Sequence, residues 1–189
     1  MTRIAIFASG SGSNAENIAN YFSNNDAVEI SLILTNKKNA YVLERAKKLN
    51  IQSLVFNRTQ FFETNEIPQI LIKNNIDLIV LAGFLLKIPE NLIKAFPDKI
   101  VNIHPALLPK YGGKGMYGAN IHKSVIENKE SESGISIHFV NKNYDEGKII
   151  LQKKCILSNN ETIETLTQKI HKLECDYFPI AIEKTIKQL

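Results

Sequence analysis

Short apolar runs alternate along the chain with stretches whose apolar residues recur at helical spacing. "RIAIFA" (3–8), "VEISLILT" (28–35), "SLVF" (53–56), "IDLIVLA" (76–82) and "KIVNI" (99–103) predict strands. The last two are continuous apolar runs, the pattern of parallel strands covered on both faces. Ala15, Ile18, Ala19 and Phe22 repeat at i, i+3, i+4, i+7 and predict a helix after the first strand. Further helices are predicted from about 40 to 49 and about 63 to 74.

Beyond His104 the rhythm changes. "GISIHFV" and "KIILQKKCIL", separated by the polar turn "NKNYDEG", predict an antiparallel hairpin or a long β connection. Ser158 and Glu161 form an S-x-x-E capping box ahead of Ile163, Leu166, Ile170, Leu173 and Tyr177, which predict a terminal helix. Pro179 should kink or break it. Strands separated by helices imply right-handed βαβ units. The expected fold class is α/β: a Rossmann-like, mostly parallel sheet flanked by helices on both faces, with an antiparallel C-terminal extension and a terminal helix. No repeat, linker or low-complexity tract divides the chain, so residues 1–189 are expected to form one domain.

Composition narrows the function classes. The chain is 44% hydrophobic and 22% charged, ordinary for a globular protein. Its formal charge of +4 comes from scattered lysines without a basic block, and Tyr111, Tyr117 and Tyr144 are too dispersed for a base-stacking platform, so nucleic acid is not an expected partner. Cys155 and Cys175 make no C-x-x-C pair and no disulfide framework. No apolar run reaches the roughly 18 residues of a membrane span, and the N-terminus enters a strand without a signal-peptide pattern. The expected location is cytoplasmic, with no membrane partner.

Candidate chemistry begins at the first loop. Gly10, Gly12 and Ala15 match G-x-G-x-x-A between a strand and a helix, where backbone N–H groups can face an anion. A dinucleotide site would want an acidic residue roughly 20 positions on, but the second strand ends in Thr35, Asn36, Lys37 and Lys38. A single phosphate fits better. The plainer alternative is a tight glycine turn with Asn14 capping the helix, and the two weigh equally until Ser11, Ser13 and Asn14 add hydroxyl and amide donors at the same place.

Asn102 and His104 sit two residues apart at the tip of a strand and so share a face. A neutral imidazole exchanges protons near pH 7, and a carboxamide can stabilise an oxyanion, which together suit acyl transfer. For an isolated pair, a hydrogen-bonded strand-end histidine and a turn asparagine would be the commoner explanation. Asp145, in the turn "NYDEG", could reach the same edge of the sheet, where a carboxylate would orient the imidazole; sequence spacing alone does not establish that contact. His138 either lies beside the site or, more simply, is a hydrogen-bonded sheet histidine. His122 and His171 fall on predicted helix surfaces with no ligand spacing, so no metal is expected. Lys110 is either solvated or phosphate-facing.

The strings "ASGSGSN", "VLAGFLLKI", "NIHPALLPKY" and "GISIHFV...YDEGKIILQ" together resemble the glycinamide ribonucleotide transformylases, a formyltransferase family of purine synthesis. The resemblance runs in order from the first strand to the terminal helix. "NIHPALLP" alone is shared with methionyl-tRNA formyltransferases and formyltetrahydrofolate hydrolases, whose additional domains 189 residues would not accommodate. The resemblance implies that Asn102, His104 and Asp145 are catalytic; that Gly12, Ser13 and Asn14 hold the ribonucleotide phosphate, with Glu174 near the same substrate; and that Leu85, Leu86, Lys87 and Ile88, with Arg58 and Asn102, bind 10-formyltetrahydrofolate as co-substrate. Arg58 lies two residues farther from "LAGF" than the family spacing. "GGKGMYGANIHKSV" (112–125) departs from the family's short Pro-Gly segment, so contacts made there do not transfer. The implied partners are small molecules, with the chain a monomer or homodimer.

The implied mechanism is direct attack of the glycinamide amine on the formyl carbon. Asn102 and protonated His104 would stabilise the oxyanion, and Asp145 would assist proton transfer. A relative with another acceptor, or a 10-formyltetrahydrofolate hydrolase, is the nearest alternative. A non-catalytic nucleotide-binding module or an NAD-dependent oxidoreductase is more distant.

Overall fold

The structure is a computed structural model describing residues 1–189. Its elements are β1 (Thr2–Phe7), α1 (Ser13–Phe22), β2 (Val28–Thr35), α2 (Val42–Lys48), β3 (Ser53–Val55), α3 (Arg58–Phe62), α4 (Glu66–Lys73), β4 (Leu78–Leu81), α5 (Glu90–Ala95), β5 (Ile100–His104), α6 (Ala119–Glu127), β6 (Glu132–Phe139), β7 (Ile149–Ile156) and α7 (Ile163–Ile186). Two compact units, Met1–Asn102 and Ile103–Leu189, divide within β5.

In the first unit the strands run parallel in the order β3-β2-β1-β4-β5. Ile4, Ile6, Phe7, Ile33, Leu34, Leu78 and Val80 are fully buried, which explains their unbroken apolar sequence. The chain steps outward from β1 to β3 and then returns to the other side of β1. Right-handed crossovers therefore carry α1 and α2 on one face and α3, α4 and α5 on the other. The reversal leaves a crevice between the carboxyl ends of β1 and β4, where open α/β sheets bind ligands.

Two helices stand here: α3, which the pattern does not predict, and α4, which is the helix predicted from about 63 to 74. The first is started by a reciprocal cap: Asn57 Oδ1 accepts from Gln60 N at 2.9 Å, and Gln60 Oε1 accepts from Asn57 N at 2.8 Å. Phe61 then turns into a cluster with Phe7, Phe56 and Phe84. The chain breaks at 63–65, where Thr64 Oγ1 accepts from Glu66 N at 3.2 Å to open α4.

In the second unit β6 and β7 pair antiparallel, the hairpin of the two expected alternatives, with a register shift between Ile137 and His138. α7 packs against both strands and α6, burying Leu166, Ile170, Phe178, Ala181 and Ile182. Two local expectations about α7 need correction. Its cap is Thr162, in a capping box with Thr165, and Ser158–Glu161 forms a hydrogen-bonded turn just upstream. Pro179 lies inside an unbroken helix. It is buried together with Phe178 and Ala181, and the buried face holds the helix through the one hydrogen bond that proline cannot make. His122, predicted on a helix surface, is buried beside Ile121 and Val125, and desolvation holds its pKa below the ordinary histidine value. No helix is long and apolar enough to cross a membrane.

Candidate active site

Two loops of the first unit meet at the β1/β4 crevice. Gly12 is the N-cap of α1, with φ 75°, and a Cβ there would collide with Val42 at the start of α2. Both facts exclude any residue but glycine. Asn14 is therefore not the cap; it is the second residue of the helix, and its side chain is buried. Ser13 is the first. Arg45 donates from Nε to the Ser11 carbonyl at 2.9 Å and pairs with Glu16, turning that carbonyl toward α2. The first-turn N–H groups of this ten-residue helix carry partial positive charge and can hold an anion.

The second loop, following β4, is tied to the first through Ser9. Ser9 N donates to Gly83 O at 3.1 Å, Leu85 N donates to Ser9 Oγ at 3.1 Å, and Ser9 Oγ donates to Asn36 Oδ1 at 2.7 Å. Ile88 anchors the loop in the core, while Leu85 and Lys87 are exposed and Leu86 is half-buried. Arg58 opens α3, its guanidinium 4.8 Å from the Phe62 ring centre. The Phe61 ring of the same helix meets Phe84 at 5.5 Å, so α3 and the 85–88 loop are neighbours. The structure thus brings the two predicted folate-side segments together.

Asn102 and His104 share a face of β5, as strand alternation requires. His104 is only 4% exposed. Its Nε2 lies 2.8 Å from the Tyr111 carbonyl oxygen, which can only accept, so Nε2 carries the hydrogen. Nδ1 then faces Asp145 Oδ2 at 3.7 Å. Asp145 sits in the β6–β7 turn with φ 55°, and the same Oδ2 accepts from Gly113 N at 2.9 Å. One turn thus fixes both groups, through the Tyr111 carbonyl and the Gly113 N–H.

A second imidazole completes the cluster. His138 Nδ1 donates to the Phe139 carbonyl at 2.8 Å, and its Nε2 lies 3.7 Å from Asp145 Oδ1. Burial pushes the His138 pKa down, against the smaller opposing pulls of the Phe139 carbonyl and Asp145. His138 is the hydrogen-bonded sheet histidine its sequence context suggests, and it also flanks the carboxylate. The available signal was its position at the strand end leading into the turn that carries Asp145. Gly147 closes that turn: a Cβ there would run into the Phe139 carbonyl. Behind the cluster, Ser136 Oγ donates to Ala106 O at 2.7 Å and accepts from Leu108 N at 2.9 Å, pinning the "PALLP" turn to β6.

Glu174 is half-buried on α7, within the second unit. Lys110 is exposed and pairs with Glu130 at 3.0 Å, the solvated alternative of its two readings. No group of three or more His, Cys, Asp and Glu side chains is arranged to hold a metal.

An open α/β framework whose first loop can hold an anion, and a buried imidazole–carboxylate cluster in the second unit, are features of the α/β enzyme class. Comparison with known proteins makes the class particular. The formyl transferase family model matches residues 2–182. The chain is 38% identical to the chloroplastic phosphoribosylglycinamide formyltransferase of Arabidopsis thaliana, covering 98% of this chain and 67% of that one. It is 34% identical to phosphoribosylglycinamide formyltransferase of Bacillus subtilis, covering 98% and 95%. The crystal structure of phosphoribosylglycinamide formyltransferase from Bacillus halodurans superposes with a TM-score of 0.87 at 34% identity, covering 97% and 94%. The chain belongs to the formyl transferase family.

Proposed function

We propose that this protein transfers the formyl group of 10-formyltetrahydrofolate to the amine of N1-(5-phospho-D-ribosyl)glycinamide, giving the N2-formyl product and tetrahydrofolate in de novo purine (IMP) biosynthesis. The observation that carries the reading is the buried His104, whose Nε2 is engaged by the Tyr111 carbonyl while Nδ1 faces Asp145. That arrangement leaves one nitrogen to gain and lose a proton beside a carboxylate. The relatives named phosphoribosylglycinamide formyltransferase span nearly the whole chain, which supports formyl transfer to the same acceptor.

The amine attacks the formyl carbon directly. Asn102 and the protonated imidazole of His104 stabilise the tetrahedral oxyanion. The C–N bond to the folate nitrogen then breaks, and Asp145 assists the transfer of the ammonium proton to that leaving group. Gly12, Ser13 and Asn14 hold the ribonucleotide phosphate, with Glu174 contributing to the same substrate. Arg58, Leu85, Leu86, Lys87, Ile88 and Asn102 form the folate side. We read residues 1–189 as a single formyltransferase domain, since the family match runs across both compact units. It works in the cytoplasm on small molecules, as a monomer or homodimer, without a metal, nucleic acid or membrane.

The test is formyl transfer from 10-formyltetrahydrofolate to the ribonucleotide, with His104→Ala run alongside. Loss of one such group is expected to cost about 10² to 10⁴ in rate. Unchanged turnover in a folded His104→Ala protein would remove His104 from the chemistry. Acceptor-independent deformylation would make the protein a hydrolase instead.

A further inference from the structure

The cluster around His104 has an outer support that the reaction does not itself call for. Tyr111 has φ 58°, a left-handed backbone that side chains bearing a Cβ disfavour. Its carbonyl is nevertheless the acceptor for His104 Nε2. What fastens the residue is its phenol, which donates to Glu130 Oε1 at 2.9 Å and accepts from Asn128 Nδ2 at 2.9 Å. Glu130 in turn accepts from Lys110 Nζ at 3.0 and 3.2 Å. These contacts join the turn after β5 to the connection between α6 and β6.

The support decides between two states of the imidazole. A neutral His104 with its hydrogen on Nδ1 would donate toward the Asp145 carboxylate and leave Nε2 basic. With the hydrogen on Nε2, it donates to the Tyr111 carbonyl and leaves Nδ1 basic. The carboxylate is the stronger acceptor, but it stands 3.7 Å away against 2.8 Å for the carbonyl. The second state therefore depends on the carbonyl being held in place. We propose that Tyr111 is a positioning residue: its phenol, clamped by Glu130 and Asn128, holds its own carbonyl against His104 Nε2 and so fixes the tautomer in which Nδ1 exchanges the proton. This rests on the reading of His104 as the catalytic imidazole.

The test uses the full chain labelled with [15N]histidine, its His104 signals assigned by their loss in His104→Ala, at a pH where the ring is neutral. Wild type is expected to show a single Nε2–H tautomer. Tyr111→Phe, which removes only the hydroxyl, is expected to show a mixture with Nδ1–H and a kcat lower by about tenfold, the scale of a mis-set rather than missing acid–base group, with both KM values within about twofold. Glu130→Ala should reproduce this. Glu130→Gln, whose amide oxygen still accepts from the phenol, should restore the wild-type tautomer and most of kcat. A wild-type tautomer in folded Tyr111→Phe, or a wild-type protein protonated on Nδ1, would overturn the proposal. A shifted tautomer with unchanged kcat would uphold the positioning and instead remove His104 from the reaction.

Discussion

Nδ1 of His104 lies 3.7 Å from the Asp145 carboxylate, although forty residues of chain, α6 and β6 among them, separate the two in sequence. The Asp145 oxygen that faces the ring also accepts the Gly113 N–H at 2.9 Å. Asp145→Asn keeps an oxygen for that N–H and removes only the charge. It is expected to lower kcat by about 10² to 10⁴ while leaving the melting temperature close to wild type. Steady-state kinetics and a thermal melt on one preparation check both halves. A large loss of stability would mean that the carboxylate is chiefly structural.

Gly147 closes the turn that presents Asp145 to both imidazoles. Because a Cβ would meet the Phe139 carbonyl, Gly147→Ala must open the turn. The expected cost is about 1–3 kcal/mol of stability, typical of overpacking, together with a fall in kcat as Asp145 leaves His104 and His138. Urea unfolding and kinetics measure the two effects, and an Ala variant with normal kcat would show that the Asp145 geometry tolerates a moved turn.

Gly12 and Gly10 provide a matched pair in the first loop. Gly12→Ala meets Val42 and a left-handed backbone, whereas an added Cβ at Gly10 meets nothing within 4 Å. Gly12→Ala should destabilise the fold by about 1–3 kcal/mol and raise KM for the ribonucleotide more than for the folate. Gly10→Ala should change either quantity much less. Equal effects at the two positions would argue against a shaped phosphate loop.

The parts of this site that were legible in sequence are those whose side chains follow a period or a turn rule. Asn102 and His104 are paired by strand alternation alone, and Gly12 is marked by its place between a strand and a helix. Tyr111 was not legible in its role beside His104, because it acts through a backbone carbonyl that any residue carries. His138 had two readings, a neighbour of the site and a hydrogen-bonded sheet histidine, and it is both: Phe139 O is its partner and Asp145 faces it as well. In the fold, α3 is five residues long, too short for a helical period to appear, and its signal was the Asn57/Gln60 cap. Pro179 and His122 went against local expectation for one reason: tertiary burial on α7 and α6 outweighed the propensity of the single residue.

Glu161 ties the loop before α7 to the helix itself. Its carboxylate pairs with Lys169 and accepts from Thr165 Oγ1 and from Ser158 N at 2.9 Å. The Lys169 bond, then those from Thr165 and Ser158, hold its pKa at about 2 against an ordinary 4.5. The unfolded chain therefore binds a proton here at higher pH than the folded one does. The stabilisation is complete above pH 4.5 and is lost as pH falls from 4.5 toward 2. Glu161→Gln should be less stable than wild type at pH 7, and the gap should narrow steadily across that acid window. Urea midpoints at pH 7, 4.5 and 3 measure it. A gap that stayed constant would assign the contribution of Glu161 to its packing, since only the ionised carboxylate gains from the lysine and the two donors.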